Sequence, residues 1–259
     1  AQGERRIDRL HAQVDGSLRR HRFALDADSP LRPPAWTDAM AGAPAGSGSA
    51  LRLAGQGRWE PQAGSLAGVW QGDIEQLRAA PRTAGAVPWL AAEALQFTVA
   101  LDAAGTPRVA RAAPGRLSAF GAALRWQEAQ WQAAPTTAAA GTPPRFALDA
   151  VLEPMRIAPV LAALQPDLGW HGELTLGARV RARHDGRFSA QAQLERGTGD
   201  LALRLGRVER PLGLERLSVA LDVDGGRWQA RQSIAGAQLG RLSGTQQARA
   251  DPAALWPGE

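Results

Sequence analysis

The stretch from Gly172 to Gly206 alternates apolar and polar residues with a period of two. Between Leu174 and Ala182 every second residue is apolar, and the opposite side carries three arginines: Arg179, Arg181 and Arg183. Such alternation is typical of a β-strand with one apolar face. The pair Asp185-Gly186 predicts a two-residue type I′ hairpin turn, because that turn needs positive φ at both central residues.

A second turn is expected at Gly197 to Gly199, and alternation resumes from Asp200 to Leu205. The stretch therefore predicts three successive antiparallel strands that share one apolar face. Elsewhere turns are expected at Asp15-Gly16 and at Gly55 and Gly57, where glycines follow strand-like runs.

The pattern predicts an all-β fold, an antiparallel sheet with one short helix. Three segments are expected: a strand-turn-strand at residues 1–27, a Pro/Gly/Ser-rich insertion or linker at 28–50, and a continuous β-segment at 51–259. Helical spacing after Pro154 places the short helix near residues 155–165, where it could plug or cap the sheet.

Short repeats support a stack of similar strand-turn units. Arg145 to Ala150 repeats Arg22 to Ala27 residue for residue. Looser copies, at residues 97–102 and 217–222, end in Leu-Asp ahead of a turn.

The net charge of +5 resembles that of nucleic-acid-binding proteins, but the distribution of charge argues against that function. All 30 basic residues are arginine, and the arginines alternate with apolar residues instead of clustering. Phosphate neutralisation needs a contiguous basic stripe. The sequence therefore predicts a solvated outer face and no nucleic-acid partner.

Nothing in the sequence favours catalysis, a cofactor or a metal. The absence of lysine excludes a P-loop and a Schiff base, and neither Gly-x-Ser-x-Gly nor His-Glu-x-x-His occurs. The four histidines are expected to be solvated surface residues: His11, His21, His171 and His184. Several tryptophans are expected to be packing residues: Trp59, Trp126, Trp170 and Trp228.

The order and spacing of several phrases resemble an internal segment of the TamB family, which is related to the AsmA-like, bridge-like lipid transfer proteins. The phrases are the helix Ala-Pro-Val-Leu-Ala-Ala-Leu-Gln-Pro, the run from Leu168 to Leu174, the phrases at residues 186–201, and the closing segments 228–244 and 252–257. Residues 114–117 and 124–126 also resemble the family, whereas residues 28–49 carry little of the resemblance.

The resemblance implies an elongated, curled β-sheet (a β-taco) with an open hydrophobic groove. It further implies a periplasmic protein, anchored to the inner membrane through a segment absent from this chain, that carries phospholipid to the outer membrane and supports outer-membrane biogenesis. A TamA-like outer-membrane barrel would be the partner of the full-length protein, and phospholipid acyl chains would occupy the groove.

The residue pattern supports a groove independently, because an apolar face must be covered by a sheet, a helix or a ligand and few residues here are helical. The candidate lipid-groove residues are Leu95, Phe97, Val99, Leu101, Leu174, Leu176, Val180, Phe188, Leu194, Leu201, Leu203, Leu205, Leu217, Val219, Leu221 and Val223.

Two alternatives remain open at this point. One is a scaffold or chaperone whose sheet edge adds strands of outer-membrane proteins by β-augmentation. The other is a closed β-sandwich enzyme or sugar-binding module, which would form a compact particle with a radius of gyration of ~19 Å.

Overall fold

The computed structural model describes residues 7–30, 37, 41, 43–44, 46–62, 67–136, 142–206 and 208–251. Its secondary structure is almost entirely β-strand, so the predicted all-β class, with a curled antiparallel sheet and one short helix, is confirmed. Contacts divide the chain into unit 1, Ala1–Leu124, and unit 2, Arg125–Glu259. The predicted division at residues 27 and 50 stays a prediction, and much of the expected insertion at 28–50 lies outside the described residues.

Unit 1 is an antiparallel sheet in which β1, β2, β3 and β4 are neighbours in chain order. Strands β5 and β6 both pair with β4. Strand β6 also pairs with β7, and strand β5 also pairs with β8. The strands are β1(Arg9–Ser17), β2(Arg20–Ser29), β3(Ser49–Pro61), β4(Gly68–Pro81), β5(Leu90–Ala92), β6(Leu95–Leu101), β7(Pro107–Ala112) and β8(Gly115–Ala119).

Two predicted turns of unit 1 are wrong. Strand β1 continues through Gly16 to Ser17, and the chain reverses two residues later, since Ser17 pairs with Arg20. Strand β3 passes through Gly55 and Gly57 without turning, and its register with β4 shifts between Ala54 and Gly55 because β4 has one extra residue there, Glu75. A bulge inserts an extra residue opposite the partner strand and increases the local twist.

The main sheet of unit 2, which we call the unit 2 sheet, has the strand order β9-β10-β12-β13-β16-β17-β18. Its strands are β9(Ala122–Gln132), β10(Arg145–Arg156), β12(Thr175–His184), β13(Phe188–Arg196), β16(Leu214–Asp224), β17(Arg227–Gly236) and β18(Gly240–Arg249). The remaining strands form a second sheet in the order β11-β14-β15, with bounds β11(Trp170–Gly172), β14(Leu201–Leu205) and β15(Val208–Pro211).

The three successive strands predicted from Gly172 to Gly206 are therefore only partly correct. Strands β12 and β13 pair as expected, but β13 then pairs with β16 and not with β14. Strand β14 leaves the unit 2 sheet and pairs with β11 and β15. The apolar face of β14 consequently does not continue the face of β12 and β13.

The hairpin turns also differ from prediction in detail. His184 pairs with Phe188, so three residues rather than two separate β12 from β13, and Gly186 alone among them has positive φ, at 104°. Two-residue geometry with positive φ at both positions occurs instead at Gly225 and Gly226, between β16 and β17. That turn matches type I′, the form whose twist suits a hairpin.

The predicted short helix is present as α1(Ala158–Leu164), and a 3₁₀ turn follows at Pro166–Leu168. Pro159 lies in the first turn of α1, where its missing N–H costs nothing because the first helical N–H groups have no partner within the helix. Together α1, the 3₁₀ turn and the β11-β14-β15 sheet form a small layer that we call the cap.

Asp200, just before β14, fastens the cap to the unit 2 sheet. Its Oδ2 accepts the N–H of Gly213 and its Oδ1 accepts the N–H of Leu214, each at 2.8 Å. Its backbone carbonyl accepts the N–H groups of Glu173 and Leu174, at 3.0 and 2.9 Å. One residue thus ties together the segments that enter β12, β14 and β16.

The pKa of Asp200 reflects these bonds. Partial burial works to raise the pKa, but N–H donation from Leu214, Leu201 and Gly213, together with the positive charge of Arg196, outweighs it and leaves the pKa below its ordinary value. A carboxylate with a lowered pKa stabilises the folded state fully above the pKa of the unfolded chain, about 3.9, and loses that contribution as pH falls through the folded value.

Asp200→Ala should lower the free energy of unfolding of unit 2 by about 1–3 kcal/mol at neutral pH, because two backbone donors lose a charged acceptor. Urea unfolding, read on the intact chain, measures the change. The difference from wild type should shrink as the pH falls below about 4, since Asp200 becomes protonated. Asp167→Ala, at an exposed acid of the cap, is the matched control, and equal unfolding midpoints for the two variants would contradict the fastening role.

Candidate functional site

Unit 2 presents one face that is apolar except at Gln232, and we call it the unit 2 wall. The strand register places its side chains in rows across the sheet. In one row Val180 pairs with Ala192, Ala192 with Leu221, and Leu221 with Ala230. Residues that face each other across antiparallel strands lie on the same side of the sheet. The wall consists of Leu176, Ala178, Val180, Ala182, Phe188, Ala190, Ala192, Leu194, Leu217, Val219, Leu221, Val223, Trp228, Ala230, Gln232 and Ile234.

The two ends of the unit 2 wall are buried, whereas its middle is partly exposed. Val219, in the middle, keeps 39% of its surface exposed, compared with 8% for Leu176 and 4% for Val223 at the ends. We call the partly exposed middle the central band: Ala178, Val180, Ala192, Val219 and Ala230. Apolar side chains that remain accessible on an aligned face can still gain free energy by contact with a further apolar group.

Aromatic side chains cover the turn end of the unit 2 wall. Phe146 lies 5.9 Å from the ring of His184 and 6.2 Å from that of Phe188, which lies 5.8 Å from the ring of Trp228. His184 is 1% exposed, and its Nδ1–H donates to the Pro144 carbonyl at 2.8 Å. The prediction that His184 is a solvated surface residue is therefore wrong, because the strand register places it on the apolar face opposite Phe146.

The cap covers the other end of the unit 2 wall. Ala158 of α1 and Leu201 of β14 join Leu174, Leu176 and Leu214 in one buried cluster. Further side chains of the cap and the wall pack around that cluster: Ile157, Leu161, Trp170, Leu194, Leu212, Leu217 and Ile234. The expectation that the short helix caps the sheet holds for this end of the wall.

Unit 1 presents a second apolar face, the unit 1 wall. Strand β6 contributes the predicted residues, which lie opposite β4 in register: Leu95, Phe97, Val99 and Leu101. Their burial alternates with that of the exposed Gln96 and Thr98. Neighbouring strands add Phe23, Leu25, Leu51, Leu53, Trp59, Trp70, Ile74 and Leu77.

Aromatic rings pack closely against glycines on the unit 1 wall. A Cβ added to Gly57 would sit 2.5 Å from both His21 Nε2 and Trp70 Nε1, and one added to Gly68 would sit 2.5 Å from the ring of Trp59. The indole N–H of Trp70 donates to His21 Nε2 at 3.0 Å. The glycines thus allow the rings to approach the backbone closely.

The six-residue repeat Arg-Phe-Ala-Leu-Asp-Ala has the same structural role in both units. Its Phe and Leu lie on the apolar face of β2 and of β10, and its Asp lies on the opposite face. Asp26 pairs with Arg52 across β2 and β3, at 3.4 Å, and Asp149 pairs with Arg181 across β10 and β12, at 2.9 Å. The repeat predicted from sequence therefore corresponds to equivalent strands.

The outer face of the unit 2 sheet carries opposite charges side by side. Besides Asp149 and Arg181, ion pairs join Arg187 to Asp224 at 2.7 Å, Arg183 to Glu128 at 3.7 Å, and Arg231 to Asp222. Exposed pairs of this kind contribute little to stability, about 0–1 kcal/mol each. Their effect is to neutralise the arginines locally.

His171 links the two outer strands of the cap sheet. Its Nε2 lies 2.7 Å from Glu209 Oε1, and its Nδ1 lies 3.0 Å from the Gly169 carbonyl oxygen. The Gly169 carbonyl, followed by the Glu209 carboxylate, raises the pKa of His171 against desolvation and the positive charge of Arg204. The protonated imidazole therefore stabilises the contact between β11 and β15.

The predicted groove residues fall into three places. Those of β6 lie on the unit 1 wall, and those of β12, β13 and β16 lie on the unit 2 wall. Leu174 is buried beneath the cap, and Leu201 and Leu203 belong to the cap itself. Leu205 ends β14, and its side chain lies outside the described part of the structure.

Sequence reasoning missed the cap sheet and the ring-covered glycines. Residues of β11 and β15 are too few to show alternation, so no periodic signal marks them. The glycines of β3 did leave a signal, because Gly55 and Gly57 are two residues apart and so share one face of a strand. Trp126 and Trp228 are buried, which confirms the packing role predicted for them.

Within the described residues, no group of three or more His, Asp or Glu side chains is placed to hold a metal ion. Nor does that part of the chain contain a helix of the length and apolar character needed to cross a bilayer.

Gly57→Ala should lower the free energy of unfolding by about 1–3 kcal/mol, because the new methyl group displaces the Trp70 indole and breaks its hydrogen bond to His21. Urea titration followed by tryptophan fluorescence gives the value. Gly177→Ala is the control: it lies in strand β12, where an added Cβ has its nearest neighbour at an ordinary 3.4 Å. A loss no larger at Gly57 than at Gly177 would show that ring contact does not require the glycine.

The cap should exchange its amide hydrogens more readily as the pH rises through the raised pKa of His171. A histidine with a raised pKa contributes fully below its unfolded value, about 6.5, and the contribution is lost above the folded value. Hydrogen exchange at about pH 5.5 and 8.5, corrected for intrinsic rates, should show this loss in wild type and not in His171→Gln. His11→Gln, at the exposed strand β1, should retain the wild-type pH dependence; the same dependence in His171→Gln would refute the assignment.

Comparison of the chain with protein-family models, with curated proteins and with solved structures found no match in any of the three.

Proposed function

We propose that the two apolar walls bind the acyl chains of phospholipids. The chain would then be a segment of a TamB-like periplasmic bridge that carries phospholipid between the inner and outer membranes and supports outer-membrane biogenesis. The observation that carries the proposal is the central band of the unit 2 wall, an aligned apolar surface with Val219 39% exposed. The opposite face of the same strands carries paired charges.

The energetics favour an acyl chain as the occupant. Burying hydrocarbon gains about 0.8 kcal/mol per CH₂, so a chain of ~16 carbons gains on the order of 10 kcal/mol when it leaves water. The central band consists of alanine and valine, and the uncharged Gln232 lies opposite Val219, so a charged headgroup would lose hydration there without a charged partner. The headgroup would therefore remain outside the wall while the chain lies against it.

The shape of the side chains suits movement along the wall. Alanine occupies three of the five positions of the central band, and aromatic rings pack against glycines in unit 1, so these parts of the walls carry little side-chain relief. A smooth apolar surface binds hydrocarbon without selecting a register, because hydrophobic contact is non-directional. Such a surface fits transport better than recognition of one defined ligand.

The proposal includes no nucleic-acid partner, no cofactor and no enzymatic activity. Arginines of the outer face lie beside Asp149, Asp222 and Asp224, so they do not form the unpaired basic stripe that polyphosphate binding requires. Inner-membrane anchoring through a segment outside this chain, and contact of the full-length protein with a TamA-like barrel, rest on the family resemblance.

A second candidate function is strand addition to a partner protein. Every residue of β1 is exposed, and β18 is exposed along almost its whole length. Among the described residues β1 pairs only with β2, and β18 only with β17. Unpaired strand edges can accept an extended peptide, as in β-augmentation.

Photo-crosslinking distinguishes these functions. A benzophenone side chain at Val180 should capture phospholipid from native membranes or from the purified chain, because Val180 lies on the central band. The same probe at Arg181 should capture several-fold less, because the next residue points to the other face. Mass spectrometry identifies the adduct, and it should also detect co-purified phospholipid in wild type.

Equal capture of lipid at Val180 and Arg181 would refute the groove. Peptide adducts concentrated at a probe on β18, such as Gln247, would favour strand addition. Solution scattering tests the closed β-sandwich alternative, which requires a radius of gyration near 19 Å for 259 residues.

A further inference from the structure

The cap lies on hydrocarbon that the unit 2 wall would otherwise expose. Leu161 of α1 and Trp170 of β11 pack against the cluster that includes Leu176, while Leu217 and Ile234 approach from the wall. Leu176, Leu217 and Ile234 lie on the same face as the central band, closer to the capped ends of β12, β16 and β17. The cap therefore occupies the part of the wall next to the proposed acyl-chain site.

The cap is attached at points where the backbone adopts unusual angles. Three of its junctions with the unit 2 sheet pass through glycines with positive φ: Gly172 at 123°, Gly199 at 81° and Gly213 at 60°. An added Cβ would meet backbone oxygens at Gly172 and Gly199, so only glycine fits there. Hinge motions are absorbed by a few residues at the ends of elements, as these are.

Two fully buried side chains and several partly buried ones hold the cap down. Ala158 and Leu201 are buried in the cluster with Leu174, Leu176 and Leu214, whereas Ile157, Leu161 and Trp170 pack around that cluster and are only partly buried. Asp200 adds four hydrogen bonds: its carboxylate accepts the N–H groups of Gly213 and Leu214, and its backbone carbonyl accepts those of Glu173 and Leu174. Elements with so few buried contacts open at a lower free energy than the sheet on which they rest.

We propose that the cap is a hinged lid that competes with the lipid acyl chain for the covered end of the unit 2 wall. This inference rests on the proposed function and adds its regulation. When the cap lifts, Leu176, Leu217 and Ile234 lose the hydrocarbon of Ile157 and Leu161 and gain the hydrocarbon of the ligand. An acyl chain shifts the lid toward its open state because it binds this part of the wall only when the lid is open.

The matched pair of variants lies on α1. Leu161 packs against the buried cluster that includes Leu176, whereas Leu164, one turn further along the helix, is 54% exposed. Leu161→Ser should weaken the lid, and Leu164→Ser should leave it unchanged. Both variants place the same polar residue on the same helix, so a difference between them reports the contact with the wall.

Hydrogen exchange of the intact chain provides a readout that needs no lipid. In wild type, amides of β14 should exchange faster than those of β12, because the cap opens while the unit 2 sheet stays folded. Leu161→Ser should speed exchange of β14 about ten-fold with little change in β12, and Leu164→Ser should match wild type. Exchange of β14 and β12 at the same rate in wild type, with a parallel response to Leu161→Ser, would overturn the lid.

Lipid capture then tests the competition. A photo-crosslinker at Leu217, under the lid, should capture palmitoyl-oleoyl phosphatidylethanolamine from vesicles several-fold better in Leu161→Ser than in wild type. The same probe at Val219, on the central band, should respond little. Unchanged capture at Leu217 with normal capture at Val219 would reject the competition and leave the groove intact. Capture at neither position would reject the groove, while the exchange experiment would still decide whether the cap opens.

Discussion

The strands that form the two walls have an apolar face on one side only, and the rest of the structure depends on that constraint. Such a face has to be covered or left in contact with water, at a cost of about 25 cal/mol for every Å² of exposed apolar surface. The two units cover their apolar faces in different ways. Unit 1 lays its own aromatic rings over its glycines, as Trp70 lies against Gly57. Unit 2 covers the two ends of its wall, with the cap at one end and an aromatic cluster around Phe188 at the other, and leaves the central band partly exposed.

The alternation was sufficient to predict which side chains share a face, because strand periodicity is a local property of the backbone. All the predicted residues of β12, β13 and β16 lie on one side, and the arginines of β12 lie on the other. Alternation does not specify which strand pairs with which, so the departure of β14 into the cap sheet was not predictable from it. Leu201 is buried, but it lies in the cluster with Ala158, Leu176 and Leu214 and not on a face shared with β13.

Glycine and histidine account for the other errors. A glycine inside an alternating run is compatible with a turn or with a close approach to a ring, and at Gly57 the structure has the ring contact instead of the predicted turn. Histidine is usually at least partly exposed, which favours a surface position for His184. Its position after Ala182 nevertheless continues the apolar alternation of β12, and the Pro144 carbonyl satisfies the hydrogen-bonding need of Nδ1. The apolar alternation of β12 therefore predicts the burial of His184 better than the usual exposure of histidine does.

The central band and the cap have to be considered together. A wall closed along its whole length by side chains of its own would form an ordinary core and leave no free energy for a ligand. A wall left open along its whole length would expose a large apolar patch, which promotes aggregation. A cap with few buried contacts, attached through Gly172, Gly199 and Gly213, lies between these extremes. If the proposed acyl chain took the place of the cap, hydrocarbon would replace hydrocarbon on the wall, so neither occupant would gain much over the other and the exchange would be reversible.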